Sequence, residues 1–518
     1  MRRFRFRASP TRCKSLQLSL IVFTAALWTS CGGGGGGGVS QNFQSTNPPP
    51  PQTNLPSIRL STDPFTNNTS QHQTEVEPDS FAFGNTIVAA FQQGRFFGGG
   101  ASDIGFATST DGGGTWTHGV LPGITNIQQV GNPFDRVSDP AVAYDAAHQM
   151  WLIASLPILN TTTLTPAVLV SRSSDGITWE NPVAVTTPMN NPDKDWIVCD
   201  NTNTSPFYGH CYVEWDEFGN NSRITMNTST DGGLTWGPSL NTADTASGLG
   251  GQPLVQPDGT VIVPINDIDQ THILAFRSAD GGSSWSATVM IAAISDHTVA
   301  GGLRTSPLPS AEIDAAGTVY VVWQDCRFRA GCSSNDLVMS TSGDGVTWTA
   351  PVRIPIDALS SQVDHFIPGL AVDPSTSGST AHLALAYYFY SDAACTAATC
   401  QLSVGFTSSA DGGTSWAAPQ NLAGPMTLSW LANTDQGPMV GDYISTSYVN
   451  GKAFAVFASA NRNTTSGFDE AIFTNTTGLR VAEQRPQSRL AKAIPVKRDP
   501  VLSTLSDHPA RRRAFPTF

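Results

Sequence analysis

The 518-residue sequence lacks most of the patterns that announce a chemistry. It has no CxxC pair and no histidine partnering its cysteines, so the ligand spacing of a structural zinc site is missing. No EF-hand-like loop occurs either, which removes a dedicated calcium phrase. The apolar run Leu16–Trp28 is too short to span a bilayer as a stable helix. Basic charge is scarce: 28 Lys+Arg stand against 41 Asp+Glu, a net charge of −13. Six of the basic residues precede that apolar run, and the segment after Leu479 carries nine basic against three acidic residues, which leaves the body near −25. A field of that sign repels polyanions, so no nucleic acid is expected as a partner. An anionic ligand would need a local arginine cluster.

What is present begins with a targeting segment. Arg2, Arg3, Arg5, Arg7, Arg12 and Lys14 form a charged n-region, Leu16–Trp28 an h-region, and Thr29-Ser30-Cys31 a small-residue site for cleavage. The arrangement resembles a bacterial lipobox, which implies acylation of Cys31, although Trp28 stands where that pattern prefers Leu. The alternative is an ordinary signal peptide with an incidental cysteine. Residues 1–31 are therefore expected to be a lipoprotein-type signal peptide and residues 32–54, with seven glycines and Pro48–Pro51, a tether. Residues 480–518 have no apolar periodicity and read as a basic disordered tail. The expected location is outside the cytoplasm: an outer-membrane or cell-surface lipoprotein, otherwise periplasmic or secreted. Six further cysteines fall into close pairs, Cys199/Cys211, Cys326/Cys332 and Cys395/Cys400, and in an exported chain these are expected to be disulfides.

Residues 55–479 are organised by one recurring phrase. It reads STDGGGTW at Ser109–Trp116, SSDGITW at Ser173–Trp179, STDGGLTW at Ser229–Trp236, SADGGSSW at Ser278–Trp285, SGDGVTW at Ser342–Trp348 and SADGGTSW at Ser409–Trp416. The tryptophans lie 63, 57, 49, 63 and 68 residues apart, too far for a solenoid turn and about right for a four-stranded propeller blade. Glycines supply the positive-φ positions of a tight turn, the Asp accepts hydrogen bonds from the turn's own amides, and the Trp anchors it. The phrase resembles the Asp-box, or BNR, motif of the sialidase-like β-propellers. That family implies boxes in the turn between the third and fourth strands of each blade, away from substrate.

The expected fold is all-β, a β-propeller of seven four-stranded blades with six blades as the alternative. Inner strands are read at Pro78–Phe83, Pro140–Tyr144, Trp196–Asp200, Pro253–Gln256, Ala311–Asp314 and Pro368–Val372. A seventh unit starts at Asp442 and has no box, so its fourth strand is missing. The segment Ile58–Asp63 is expected to supply it, closing the last blade from the N-terminus, because a ring of blades must leave no open edge.

Propeller topology puts the boxes on one face and the varied polar residues on the other. The resemblance implies a Tyr nucleophile polarised by a Glu, an Asp acid/base and three arginines gripping a sugar carboxylate. By position, Tyr443 is the nucleophile candidate, Glu77 (or Glu75 or Glu312) its partner, and Asp139 (or Asp195) the acid. Arg136, Arg304 and Arg327 are the first arginine candidates, with Arg95 and Arg462 behind them, and Asp195 and His365 complete the substrate-binding set. The family's Arg-Ile-Pro signature belongs before the first box, yet Arg353-Ile-Pro follows the fifth and reads as structural.

The leading expectation is an exported sialidase-like propeller acting on extracellular glycans as an exo-α-sialidase-like glycosidase. The alternative is a non-catalytic surface lipoprotein whose funnel binds a glycan or a protein. No cofactor is expected; Ca²⁺ held by oxygen ligands in the acidic channel is the one ion considered, without a supporting motif. The chain is expected to be a monomer that meets a membrane only through its lipid anchor.

Overall fold

The computed structural model describes residues 53–160, 164–186, 190–463 and 467–481. The leader, Cys31, the tether through residue 52 and the tail from residue 482 lie outside the described residues. No α-helix occurs among the described residues; the regular structure is antiparallel sheet with a few single 3₁₀ turns.

Among the described residues the strands form antiparallel sheets of eight, five, five, four, four and four strands and the two-stranded hairpin Ala432–Thr434 with Gly437–Met439, the eight-stranded sheet combining two four-stranded groups. The first runs Glu75–Phe83, Thr86–Arg95, Ala101–Ser109 and Thr117–Val120, and the second Arg136–Asp145, Met150–Ile158, Val168–Ser173 and Val183–Thr186. A single pair, Ala101 with Val137, joins these two into one larger sheet. The third, fifth and sixth groups begin at inner strands Pro192–Cys199, Ser310–Ile313 and Asp364–Val372. In the fourth, Gly248–Leu249 and Leu254–Val255 both pair with Val261–Asp267, splitting the inner strand.

The last group is Ser445–Val449, Lys452–Ala460 and Glu470–Asn475, and its outer strand is Ser57–Arg59 from the other end of the chain. Ile58 pairs with Thr474, Leu60 donates its N–H to the Ile472 carbonyl, and the Ser61 Oγ accepts from the Ile472 N–H. Inner strands pack on one another in chain order, and the seventh packs back on the first. Ser80 on the first lies 3.0 and 2.8 Å from Ser445 and Ser447 on the seventh.

All six box turns repeat one hydrogen-bond set. The box Ser Oγ donates to the Asp Oδ1, as in Ser109–Asp111 at 2.8 Å and Ser229–Asp231 at 2.9 Å, and accepts a glycine N–H. The same Asp accepts the N–H of the Thr or Ser before Trp, for example Thr115 at 2.8 Å. The backbone N–H of Thr115, with the Thr115 hydroxyl behind it, draws Asp111 down to about 2, and the N–H groups of Thr347 and Val346 do the same for Asp344. Hydrogen bonds to the ionised form are the cause.

Each box then docks on the preceding sheet. Gly176 sits on Val88, Gly233 on Leu152, Gly282 on Tyr212, Gly345 on Ile262 and Gly413 on Met339, while Gly113 of the first box sits on Phe454 of the last sheet. Gly113 has φ +88 and a Cβ there would overlap the Phe454 ring, so glycine is required both by the backbone and by the contact. Trp285 is 4% exposed and meets Tyr212 and Phe276 edge-on, with ring centroids at 6.2 and 5.6 Å.

All three expected disulfides are present: Cys199–Cys211 across the first hairpin of the third sheet, and Cys326–Cys332 and Cys395–Cys400 in loops after second strands. Arg353 pairs with Asp336 and Asp357, a structural role at the sheet's outer edge.

Trp285→Ala is expected to cost about 3–5 kcal/mol in chemical denaturation. Gly282→Ala, whose Cβ would meet Thr228 and Tyr212, is expected to cost about 1–3 kcal/mol by overpacking. Unchanged urea midpoints in both variants would show that the boxes do not hold neighbouring sheets together.

Candidate functional site

Strand register separates the two faces. In the first sheet Phe83 pairs with Thr86 and Ile87 with Ser109, which puts the box at that end; Glu75 pairs with Gln93 and Arg95 with Ala101 at the other. Tyr443 precedes Ser445, which pairs with Val456, while the hairpin Val449–Lys452 closes the opposite end. Glu77, Arg95 and Tyr443 therefore lie away from the box turns.

The inner strands begin earlier than the sequence pattern suggests. The sequence pattern starts three of them at prolines 78, 140 and 368, but these prolines sit beside β-bulges inside strands that start at Glu75, Arg136 and Asp364. Proline tolerates either place because neither needs its N–H. In these three strands and the third, the bulge holds a non-glycine residue at positive φ: Glu77 (53°), Asp139 (49°), Lys194 (48°) and Ile367 (48°). Such backbone costs on the order of 1–3 kcal/mol per residue and persists where the surrounding structure over-determines it. Here it re-aims charged side chains of three successive sheets into one recess.

Glu77 is at the centre. Its carboxylate accepts from the Gln92 amide and, at 3.3 Å, from the Asp442 N–H. Burial, then Asp139 and Asp442, push Glu77 up to about 8 against the pull of Arg304 and Arg95. Arg304 grips Asp442 with two nitrogens, Nε–Oδ1 at 2.9 Å and a second contact to Oδ2, which holds Asp442 below the usual carboxylate range despite its burial. Arg95 is buried, donates to the Gly100 carbonyl at 2.7 Å and contacts the Met439 sulfur. Asp193 lies on the exposed side, where the protein about its carboxylate, Asp139 and Asp442 raise it to about 6. Partial exposure of Asp193, Arg304 and Asp442 marks the open wall of the recess.

Tyr443 lies deeper, 4% exposed, and its hydroxyl donates to the Pro140 carbonyl at 3.1 Å. Burial raises its pKa well above the ordinary value, and Glu77, Asp139, Asp195 and Asp79 add to the rise. The Lys194 ammonium sits 3.4 Å from the centroid of its ring and 5.2 Å from that of Trp196. Asp195 and Glu214 are fully buried, and none of their carboxylate oxygens has a hydrogen-bond partner among the described residues. Burial lifts Asp195 well above its usual value and Glu214 to about 8, with Lys194 opposing both. Beside them, Glu312 is raised to about 8 by burial and Asp79, and Asp79 to about 6 by burial.

The structure thus brings together Tyr443, Glu77, Asp139, Asp195, Arg95 and Arg304. It leaves three candidates apart. Arg136 donates to the carbonyls of Gly98 and Gly99 and lies over the Phe96 ring at 5.3 Å. Arg327 folds back on Asp325, with Nε–Oδ1 at 2.9 Å. His365 is buried between the Asn335 carbonyl and the ion network Arg329–Asp336–Asp357, where burial lowers its pKa to about 4. Asp336, Asp357 and His365 are close enough to share an ion, but Arg329 and Arg353 already supply the positive charge there. A three-arginine grip is not assembled among the described residues. Gln92, Asp193 and Glu214 belong to the cluster but stand in no motif of the sequence, whereas the bulges at Glu77 and Asp139 carry a local signal, an acidic residue before proline.

The raised carboxylates set a pH dependence. A carboxyl lifted from about 4.5 to about 8 on folding contributes stability that is present at low pH and lost as pH rises through about 8, because the folded state then binds more protons than the unfolded one. Melting temperature is expected to be higher near pH 5–6 than near pH 8–9, and Glu214→Gln to raise it at pH 8.5 while leaving it little changed at pH 5. Parallel pH profiles for wild type and variant would remove this account.

Residues 85–293 match the BNR repeat-like domain family. No curated protein matches the chain in sequence. Among solved structures, a Hadza microbial sialidase is similar at 15% identity and a TM-score of 0.42, covering 78% of this chain; the chain spans 66% of that sialidase's length. A polysaccharide lyase of the ulvan lyase type is similar at 12% identity and 0.48, over 82% of this chain and 96% of the lyase. An α-L-arabinofuranosidase from Fusarium graminearum is similar at 12% and 0.42, over 65% of this chain and 92% of the enzyme. Residues 85–293 are thus similar to the BNR repeat-like domain, and the same box recurs beyond them on to Trp416.

Proposed function

We propose that the chain is an exported, glycan-directed hydrolase with seven propeller blades, whose substrate is met in the recess around Glu77. The observation that carries this reading is the convergence of Tyr443, Glu77 and Asp139, from the last, first and second sheets, on the face away from the boxes. In the proposed roles, Tyr443 attacks the anomeric carbon as its hydroxyl proton passes to Glu77, and Asp139 protonates the departing glycosidic oxygen. Arg304, Arg95 and Asp195 orient the sugar, with Arg136, Arg327 and His365 outside that set. For attack, the Tyr443 hydroxyl must leave the Pro140 carbonyl.

A second reading, a non-catalytic glycan- or protein-binding surface protein, is favoured by two contacts. The Tyr443 hydroxyl is engaged by Pro140, and Arg304 by Asp442. The proposed location remains the cell exterior, with Cys31 acylated, the chain monomeric and no cofactor required; chelation, which tests for a Ca²⁺ in the acidic channel, is expected to leave turnover unchanged.

The test is hydrolysis of fluorogenic sialosides and of neutral aryl glycosides by the purified protein. Tyr443→Phe is expected to lower kcat/KM by at least about a hundredfold. As Glu77 must be ionised to accept the proton, kcat/KM is expected to rise with pH through about 8, and Glu77→Gln to abolish that limb. Turnover that survives Tyr443→Phe would overturn the mechanism. Saturable glycan binding without turnover would leave the second reading. Lipidation is checked separately: labelled palmitate is expected in the wild-type protein expressed in a Gram-negative host and absent from Cys31→Ser.

A further inference from the structure

Lys194 has no place in the proposed mechanism, yet the fold goes to some length to set it. Its backbone is held at φ 48 in the bulge between Asp193 and Trp196. Left-handed backbone at a long side chain is costly, and lysine gains nothing from it in local hydrogen bonding. The side chain is buried and its Nζ has no hydrogen-bond partner among the described residues. That is an unusual end for an ammonium group with three donors.

Its surroundings explain the placement. The Nζ lies 3.4 Å from the Tyr443 ring centroid and 5.2 Å from the Trp196 centroid, and the two rings meet edge-on at 5.3 Å and 76°. A cation over an aromatic face is attracted by the ring's negative face, more so when desolvated. The attraction grows when that ring carries a phenolate, because a full negative charge replaces a quadrupole. Around the pair stand Asp79, Asp195, Glu214 and Asp442, which face Lys194, and Glu77, Asp139, Asp195 and Asp79, which face Tyr443. Every one of these carboxylates opposes ionisation of the tyrosine when it is itself ionised. Among the described residues Lys194 is the one cation set on the ring.

We propose that Lys194 is a positioning residue, whose ammonium on the face of the Tyr443 ring fixes that ring and favours its ionised form. This rests on Tyr443 being the reacting group, but its physical content can be read without turnover. A purely structural lysine would serve as counter-ion to Asp195 and Glu214 and leave Tyr443 unaffected.

The experiment is ¹⁹F NMR of the full chain labelled with 3-fluorotyrosine, whose phenol ionises at lower pH than tyrosine's, with the residue-443 resonance assigned through Tyr443→Phe. Lys194→Met is expected to raise the ionisation midpoint at residue 443 by about one pH unit or more, and Lys194→Arg to keep it within about 0.3. On a glycoside that the wild type cleaves, Lys194→Met is expected to lower kcat about 10–100-fold with KM within about twofold, and Lys194→Arg to recover most of the loss. If Lys194→Met does not fold by near-ultraviolet circular dichroism, Lys194→Gln takes its place. An unmoved residue-443 midpoint in the uncharged variant overturns the proposal. A moved midpoint in a protein that cleaves no glycoside sustains it and sinks the hydrolase reading instead.

Discussion

Covering sheet edges and faces is the requirement on which the rest of the structure depends. Small antiparallel groups of strands, none able to bury both faces alone, must each find a neighbour on either side. The box turns supply the outer part of that contact: the glycines of each box rest on the preceding sheet, and Gly113 rests on Phe454 of the last one. The inner strands supply the rest by packing in chain order back to the first. The sheet of Ser445–Val449, Lys452–Ala460 and Glu470–Asn475 has no box and is completed by Ser57–Arg59, so the two ends of the described chain are stitched into a single sheet.

That scaffold frees the opposite ends of the inner strands from structural duty, and there the chain accumulates cost. Glu77, Asp139 and Lys194 take left-handed backbone at bulges, and Asp195 and Glu214 are buried without hydrogen-bond partners among the described residues. Strain, desolvated carboxylates and an unbonded ammonium in one recess are hard to account for as stabilising features, since each lowers the stability of the fold. Their coincidence on the face away from the boxes makes the recess the place where function is to be sought. Its chemistry is dominated by carboxylates whose ionisation shifts toward neutral and mildly alkaline pH, with Arg304 largely occupied by Asp442.

Much of the architecture was legible. The six boxes, the strand preceding the first unit that closes the last, the three cysteine pairs and the structural role of Arg353 could all be read from local residue patterns, because turn chemistry and strand alternation are short-range. The site was legible only as a face. Tyr443, Glu77, Asp139, Arg95 and Arg304 converge, whereas Arg136, Arg327 and His365, chosen by equivalent position, are engaged by Gly98 and Gly99, Asp325, and the Asn335 carbonyl beside the Arg329 network. The misplaced strand starts at Pro78, Pro140 and Pro368 have a single cause. A proline at a strand start and a proline at a bulge look alike in sequence, and only pairing across the hairpin tells them apart.

By itself, then, the sequence determined the repeat, the all-β class, the box turns and the end of the strands at which varied polar residues gather. These depend on contacts between residues a few positions apart or on a pattern repeated many times. Tertiary structure alone decided which arginines remain in the recess, that Glu77 rather than Glu75 or Glu312 stands beside Asp442 and Arg304, and that Lys194 lies on the Tyr443 ring. The reason is that burial and side-chain direction at a bulge depend on strands from different sheets, hundreds of residues apart in the chain. A pairing shift of one residue turns a side chain from the recess to the opposite face.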